Sequence, residues 1–225
     1  LMKKLLLTTS FLLTSLAAPL LAEESKSIYL SIGGGIASPS DVEGDTTLGG
    51  TKYDATFPTD NTGFYSAAIG KKFNDFRIEF NYAQADVETD SITLTTGGNG
   101  VTASISPNLE AEVKSYMFYG YKDFPNESKF TPYIGLGLGS STFSAKDQTA
   151  TVSGTRYSLK GTEESVFSYA AKGGADYEIS DNTSLYSEVT YQKFASYNVT
   201  EPGFNTVNYD SHDLFAVSVG LKFNF

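Results

Sequence analysis

Residues 215–225 have the sequence FAVSVGLKFNF, in which Phe, Val, Val, Leu, Phe and Phe occupy every second position. Successive side chains of a β-strand point to opposite faces, so this alternation predicts a strand with one continuous apolar face. The residues between them are Ala, Ser, Gly, Lys and Asn, which predicts a small or polar opposite face. Residues 134–139 alternate Ile and Leu with Gly in the same manner. The chain is therefore predicted to consist of strands with one apolar face.

The same period of two recurs along the chain and predicts eight strands. They occupy residues 28–36, 63–73, 76–82, 113–121, 134–139, 166–177, 185–194 and 213–225. Most of them approach the length of about 9 to 11 residues that a tilted strand needs to cross the hydrocarbon layer of a membrane.

The connections between these strands are of two kinds, which strictly alternate. The short or moderate ones are residues 74–75, 122–131 and 180–183. The long polar ones are residues 37–62, 88–112, 145–165 and 195–212. An even number of antiparallel strands with both ends on the short-turn side is typical of bacterial outer-membrane barrels. The predicted fold is all-β: an eight-stranded antiparallel up-and-down transmembrane β-barrel with four long loops on one side.

The amino-terminal segment has the layout of a secretory signal. Lys3 and Lys4 precede a largely apolar stretch, residues 5–21, and cleavage is predicted after Ala22. Residues 1–22 are therefore predicted to be a signal peptide and residues 23–225 the barrel domain, with one uncleaved transmembrane helix as the alternative. The chain has no Cys, which excludes a disulfide scaffold and a lipid-modified amino-terminal cysteine.

Alternation alone does not decide which face of a barrel is outside, because soluble ligand-binding barrels turn their apolar face inward. Charged residues on the second face favour a membrane barrel with a polar lumen. The predicted lumen charge network is Arg77, Glu79, Lys114, Lys172, Asp176, Glu188 and Lys222. Side chains fill the lumen of an eight-stranded barrel, so Arg77 is expected to pair with Glu79 or Glu188, and Lys172 with Asp176.

Aromatic residues are frequent, with 15 Tyr and 16 Phe, and many lie near predicted strand ends. Tyr and Phe form girdles where a barrel meets the two membrane interfaces, although strand propensity alone also enriches them. The predicted lipid-interface aromatics are Tyr65, Phe73, Phe76, Tyr82, Tyr119, Tyr121, Phe167, Tyr169, Tyr177 and Tyr191.

Residues 130–139, FTPYIGLGLG, resemble the fifth strand of OmpA-like and opacity-type outer-membrane proteins, a group that includes small bacterial surface antigens. Residues 185–194 and 220–225 are similar to the seventh and eighth strands of that group. The resemblance implies the outer membrane of a Gram-negative bacterium, contact with its lipid and lipopolysaccharide, and insertion by the barrel-assembly machinery. Phe215, Phe223 and Phe225 would form the assembly signal. The peptidoglycan-binding domain of some relatives does not follow the barrel, so no cell-wall anchoring is expected.

Neither an active site nor a cofactor site is predicted. The only His, His212, lies beside Ser211 and Asp213, but neighbouring residues of a strand point to opposite faces and do not converge as a triad. It is interpreted as a polar rim residue. The glycines in residues 134–139 lack the following helix of a phosphate-binding loop and are interpreted as space for long side chains in the lumen.

Three functions remain open, and none is enzymatic. A surface protein would display its long polar loops to an extracellular ligand or receptor, in adhesion or another structural role. A narrow porin-like channel would pass ions or small solutes through the lumen, and a soluble periplasmic barrel would bind a ligand inside. The formal net charge of −10 makes nucleic acid an unexpected partner.

Overall fold

A computed structural model of the protein describes residues 28–48, 50–152, 155–200 and 206–225. The predicted signal peptide, with its cleavage site after Ala22, lies outside the described residues. The strands are β1 (Ile28–Pro39), β2 (Val42–Leu48), β3 (Thr51–Phe57), β4 (Thr62–Phe73), β5 (Phe76–Thr96), β6 (Asn99–Asp123), β7 (Phe130–Ala145), β8 (Gln148–Val152), β9 (Thr155–Leu159), β10 (Thr162–Ser180), β11 (Thr183–Phe194), β12 (Tyr197–Val199), β13 (Val207–Tyr209) and β14 (His212–Asn224).

All strand pairings are antiparallel, and the long strands pair in chain order. β1 pairs with β4, which is followed by β5, β6, β7, β10, β11 and β14, and β14 pairs back with β1. These strands form a ring with two distinct ends. The short-turn end holds the β4–β5, β6–β7 and β10–β11 connections, and the long-hairpin end holds the others. No helix in the described part of the chain is long and apolar enough to cross a membrane.

The described residues contain 14 strands where the sequence predicted eight, because the segments predicted as loops are largely β-structure. The most extended case is residues 88–112, where β5 and β6 continue and stay paired as far as Thr96 and Asn99. Gly97 and Gly98 close this hairpin with positive φ angles, which glycine adopts without strain. The shorter strands β2, β3, β8, β9, β12 and β13 lie in the other three predicted loops.

The ring turns its apolar side chains outward. Leu136 is 73% exposed on β7, while Arg77 and Glu79 on β5 are 3% and 7% exposed. The alternation of Phe76 and Ile78 with these two charged residues therefore separates an apolar outer face from a polar interior, as the sequence predicted. Because apolar surface on this scale is unfavourable in water, the ring has the surface of a protein that lies in lipid.

The prediction was wrong about the two faces of β6. Tyr119 and Tyr121, predicted as lipid-interface aromatics, are 4% and 3% exposed and lie inside the ring. Lys114, predicted in the lumen, lies instead on the outward face and forms an ion pair with Glu112. Both faces of β6 carry aromatic residues, so its period of two separates the faces without indicating which is outward.

Candidate functional site

A layer of charged side chains crosses the interior of the ring. Lys172 on β10 and Glu188 on β11 are an ion pair, with Nζ and Oε1 separated by 2.8 Å. Asp176 on β10 accepts hydrogen bonds from Lys222 Nζ at 2.6 Å and from Arg77 Nη1 at 3.2 Å. These residues were predicted as a network, but the predicted partners were wrong, because Lys172 contacts the carboxylate of the neighbouring strand and not Asp176.

Arg77 is the centre of this layer. Its guanidinium carbon lies 4.4 Å from the ring centroid of Tyr121 and 4.2 Å from that of Tyr133. Its Nε lies 3.2 Å from Oδ1 of Asp123, a contact that is an ion pair without a hydrogen bond. Asp123 was not predicted as part of the network, because it lies in residues 122–131, which were predicted as a connection, whereas it is the last residue of β6. A cation between two rings and two carboxylates is held from several directions.

Glu79 is bound by hydroxyl groups, and within the part of the chain that the structure describes it forms no ion pair. Its two carboxylate oxygens accept hydrogen bonds from Tyr29 Oη at 2.9 Å and from Tyr121 Oη at 3.0 Å. Tyr133 Oη donates to Glu188 at 3.2 Å in the same way. These tyrosines connect the charged groups into one network and hydrogen-bond carboxylates that are buried in the ring.

The interior tyrosines pack over glycines on the neighbouring strand. Tyr121 is the cross-strand partner of Gly135, and Tyr119 is the partner of Gly137. A Cβ atom at either glycine would be in hard contact with the tyrosine ring. Further pairs of the same kind are Tyr29 with Gly70, Tyr133 with Gly174 and Tyr186 with Gly220. The glycines therefore give room to adjacent rings, as predicted in outline, although the rings come from the neighbouring strand and not from across the lumen.

The charged layer separates two cavities. One, of about 270 Å³, lies at the short-turn end and is lined by polar groups that include Lys72, Asp181 and Ser184. The other, of about 100 Å³, lies towards the long-hairpin end and is lined mostly by apolar groups. A space of only about 10 Å³ lies between them, among Arg77, Glu188 and their neighbours. The side chains of the layer thus fill the middle of the interior.

An aromatic column joins the long hairpins to the mouth of the ring. Phe57 packs on Tyr209, which stacks on Tyr197 at 4.9 Å, and Tyr197 stacks on Phe143 at 5.5 Å. Burial in this column raises the pKa of the Tyr197 hydroxyl. His212 packs against the Phe143 ring and is 5% exposed. It lies at the mouth of the ring, as predicted, but it is a buried member of the aromatic column and not an ordinary polar residue of the rim.

The remaining predicted interface aromatics lie on the outward face of the strands or at partly exposed strand ends. Tyr65 and Phe73 lie towards opposite ends of β4, and Tyr82 on β5 packs against Tyr116 on β6 with ring centroids 5.3 Å apart. Tyr116 was missed because the faces of β6 were reversed. The other predicted aromatics that are exposed are Phe76, Phe167, Tyr169, Tyr177, Tyr191, Phe215 and Phe225, and Phe223 is partly exposed. No group of three or more His, Cys, Asp or Glu side chains in the described ranges is arranged to hold a metal ion.

The family described as "Outer membrane protein beta-barrel domain" matches residues 8–223. The outer membrane protein PagN of Salmonella typhimurium is 30% identical over 146 residues, which cover 61% of this chain and 60% of that protein. The match thus spans less than two thirds of this curated relative.

Two solved structures show a similar fold. The outer membrane protein OprG of Pseudomonas aeruginosa has a TM-score of 0.52 at 19% identity, covering 89% of this chain and 97% of that one. The outer membrane protease OmpT of Escherichia coli has a TM-score of 0.56 at 11% identity, covering 91% and 99%. At these identities the likeness concerns the fold alone.

Proposed function

The chain belongs to the family of outer membrane protein β-barrel domains and is located in the outer membrane, and on this premise we propose that it is a surface interaction protein. In this proposal the ring is an eight-stranded antiparallel up-and-down barrel that crosses the membrane with its long-hairpin end outside the cell. The hairpins of that end contact an extracellular ligand or receptor, in adhesion or another structural role. The protein is not an enzyme in this proposal.

The transmembrane barrel is supported by the closed order of pairings from β1 to β14 and by the apolar outward face. The outward aromatics lie at two levels, with Tyr65 and Tyr191 towards the long-hairpin end and Phe76 and Tyr177 towards the short-turn end. Such levels suit the two interfaces of the outer membrane, where aromatic rings meet lipid and lipopolysaccharide headgroups.

One observation carries the choice of a surface protein: side chains fill the middle of the interior, while the hairpins extend far beyond the apolar band. The outward aromatic Tyr82 marks the end of the apolar face on β5, and residues 83–96 continue the strand. At about 3.3 Å per residue this adds roughly 45 Å of strand. The ion pair of Lys172 and Glu188 belongs to the charged layer in the middle of the ring, and in this proposal that layer closes the lumen. The part available to a partner is therefore the long-hairpin end.

The test is cell binding by the protein displayed in a non-adherent Gram-negative host. Binding to cultured epithelial cells is compared for the full chain and for a variant in which an Asn-Gly turn replaces residues 91–104, the outer part of the β5–β6 hairpin. We expect the full chain to confer binding and the shortened variant to lose most of it. Both must show the heat-modifiable gel band of a folded barrel. A shortened variant that binds as well as the full chain would contradict the role of this hairpin, and a full chain that confers no binding would contradict adhesion.

The second candidate is a narrow channel, and the two cavities that enter the interior from opposite ends favour it. Conduction would require the layer of Arg77, Lys172 and Asp176 to open. Single-channel recording in planar bilayers separates the candidates. Reproducible conductance steps from the folded protein would support a channel, and a silent folded protein would support the filled lumen.

Two finer assignments complete the proposal. Membership of the OmpA-like and opacity-type group is proposed from the pattern of residues 130–139. The family match concerns only the wider family of outer membrane β-barrel domains. The barrel-assembly machinery is proposed as the insertion partner, with the outward Phe215 and the carboxy-terminal Phe225 as parts of the assembly signal together with Phe223.

A further inference from the structure

The cavity at the long-hairpin end of the ring has the features of a small-molecule site. It has a volume of about 100 Å³ and is lined mostly by apolar side chains on several strands of the ring, with polar ones between them; the apolar ones include Ala83, Val113, Met117, Phe143 and Ala216. An apolar cavity of this order, in a protein engineered to contain it, stays dry and binds a single aromatic ring. The size and lining therefore fit a molecule of about one ring.

The floor of this cavity is formed by two charged side chains that are already paired with each other. Lys172 and Glu188 line it and are paired with each other at 2.8 Å. Because these charges already neutralise each other, an ionic ligand would find no free counter-charge there and would lose its hydration. The floor therefore favours an uncharged ligand and blocks its passage through the ring.

Three buried polar side chains on the wall, Asn81, Thr190 and Ser218, have no hydrogen-bond partner among the residues that the structure describes. Asn81 on β5 is 8% exposed and lines the cavity, and its amide makes no hydrogen bond to any residue that the structure describes. Buried amides are normally hydrogen-bonded, because an unpaired amide loses its bonds to water without replacing them. The amide of Asn81 lies at the boundary between the cavity and the charged layer, where it can bind one polar group of a ligand.

We propose that this cavity binds a small uncharged molecule with an apolar body about the size of one aromatic ring and a single hydroxyl or carbonyl group. The apolar body packs against Met117 and Phe143, and the polar group hydrogen-bonds the amide of Asn81. The ligand enters from the cell exterior, past Pro39 and His212 at the mouth of the cavity. This site is independent of what the hairpins bind.

The experiment uses the absence of Cys from the chain, which makes a single introduced thiol specific. Ala83→Cys places a thiol in the cavity, and Ala67→Cys places one on the outward face of the adjoining strand β4 as the matched control. Each full-length variant is refolded in vesicles of dilauroylphosphatidylcholine and treated with benzyl methanethiosulfonate. Intact-mass spectrometry measures the labelling rate with and without phenol.

We expect phenol to slow labelling of the Ala83→Cys thiol at least fivefold in a saturable manner and to leave the Ala67→Cys rate unchanged. Adding Asn81→Leu should remove most of the protection by phenol while protection by toluene persists. Equal slowing of both thiols would mean that phenol acts through the lipid, and this result, like the absence of any protection, would overturn the proposal.

If the Cys variant does not fold, a second measurement tests ligand binding to the unmodified protein. The ¹⁹F spectrum of 4-fluorophenol is recorded with the unmodified protein in the same vesicles. Line broadening that saturates and is reversed by excess phenol would support the site. Broadening equal to that of protein-free vesicles would overturn it.

Discussion

Removing one partner of the ion pair between Lys172 and Glu188 should destabilise the barrel far more than removing both. The two side chains are each 8% exposed and their charged atoms are 2.8 Å apart. Lys172→Met leaves the carboxylate of Glu188 with only the hydroxyl of Tyr133, at 3.2 Å, as its partner. Glu188→Gln leaves an ammonium group beside the ring of Tyr119, at 4.3 Å from its centroid.

The expected loss of stability follows from two opposing contributions. At 2.8 Å the attraction is about 6 kcal/mol with an effective dielectric constant of about 20, and the dehydration of two ions offsets most of it. Breaking such a pair from one side typically costs about 3 to 5 kcal/mol, because an unpaired charge stays buried. Replacing both groups by uncharged ones changes the free energy of unfolding only slightly. We therefore expect each single variant to lose about 3 kcal/mol or more and the double variant about 1 kcal/mol.

The assay is reversible urea unfolding in lipid vesicles, followed by far-ultraviolet circular dichroism because the chain has no Trp. With a slope of about 1 to 3 kcal/mol per M, each single variant should lower the urea midpoint by about 1 M or more. The chemically matched control is the outward pair of Lys114 and Glu112, whose side chains are about one third exposed. Water screens this pair, so the corresponding variants should change the midpoint only slightly.

Two results would refute this reasoning. If the double variant loses the sum of the two single losses, the residues are not energetically coupled and the layer does not act as a network. If the outward pair of Lys114 and Glu112 is coupled as strongly as the interior pair, burial is not the cause of the strong coupling between Lys172 and Glu188.

Three further outcomes are expected. Gly135→Val should abolish the heat-modifiable band of the folded protein, because its side chain would collide with the Tyr121 ring, whereas Gly120→Ala, which meets nothing within 4 Å, should fold normally; equal folding of the two on gels would contradict the packing. Phe225→Ala should reduce outer-membrane insertion in cells several-fold while leaving refolding into vesicles unchanged, and a loss in both assays would indicate a stability effect instead. Intact-mass analysis of the exported protein should show cleavage after Ala22, and retention of residues 1–22 would favour the uncleaved helix.

The period of two in the sequence was sufficient to predict the long strands and their single apolar face, and the charged residues of the second face indicated that the apolar face is outward. A strand such as residues 215–225 has only one apolar face, and in a ring that lies in lipid the hydrophobic effect turns that face outward. The same holds for Arg77 and Glu79 on β5, whose charges have to face the interior. The orientation of β6 was not predictable in this way, because Tyr116 and Phe118 alternate with Met117 and Tyr119.

The β5–β6 hairpin was not predicted, although the sequence contains a turn signal for it. Gly97 and Gly98 stand between alternating Thr-rich segments, and such a pair predicts a tight hairpin turn. The polar composition of residues 88–112 instead suggested a loop. Strands that extend beyond the membrane have water on both faces, so their two faces need not differ in hydropathy.

The sequence alone determined the kind of molecule: strands with one apolar face, a polar interior and the charged residues of that interior on β5, β10, β11 and β14. Only the tertiary structure decided which charges meet, because Lys172 reaches Glu188 and Asp176 binds Lys222 through the register of neighbouring strands. The register also sets each interior tyrosine over a glycine and leaves Asn81 on the wall of a mostly apolar cavity. Which side chains share a face is determined by the residues of one strand. Which side chains are in contact depends on how two strands are aligned.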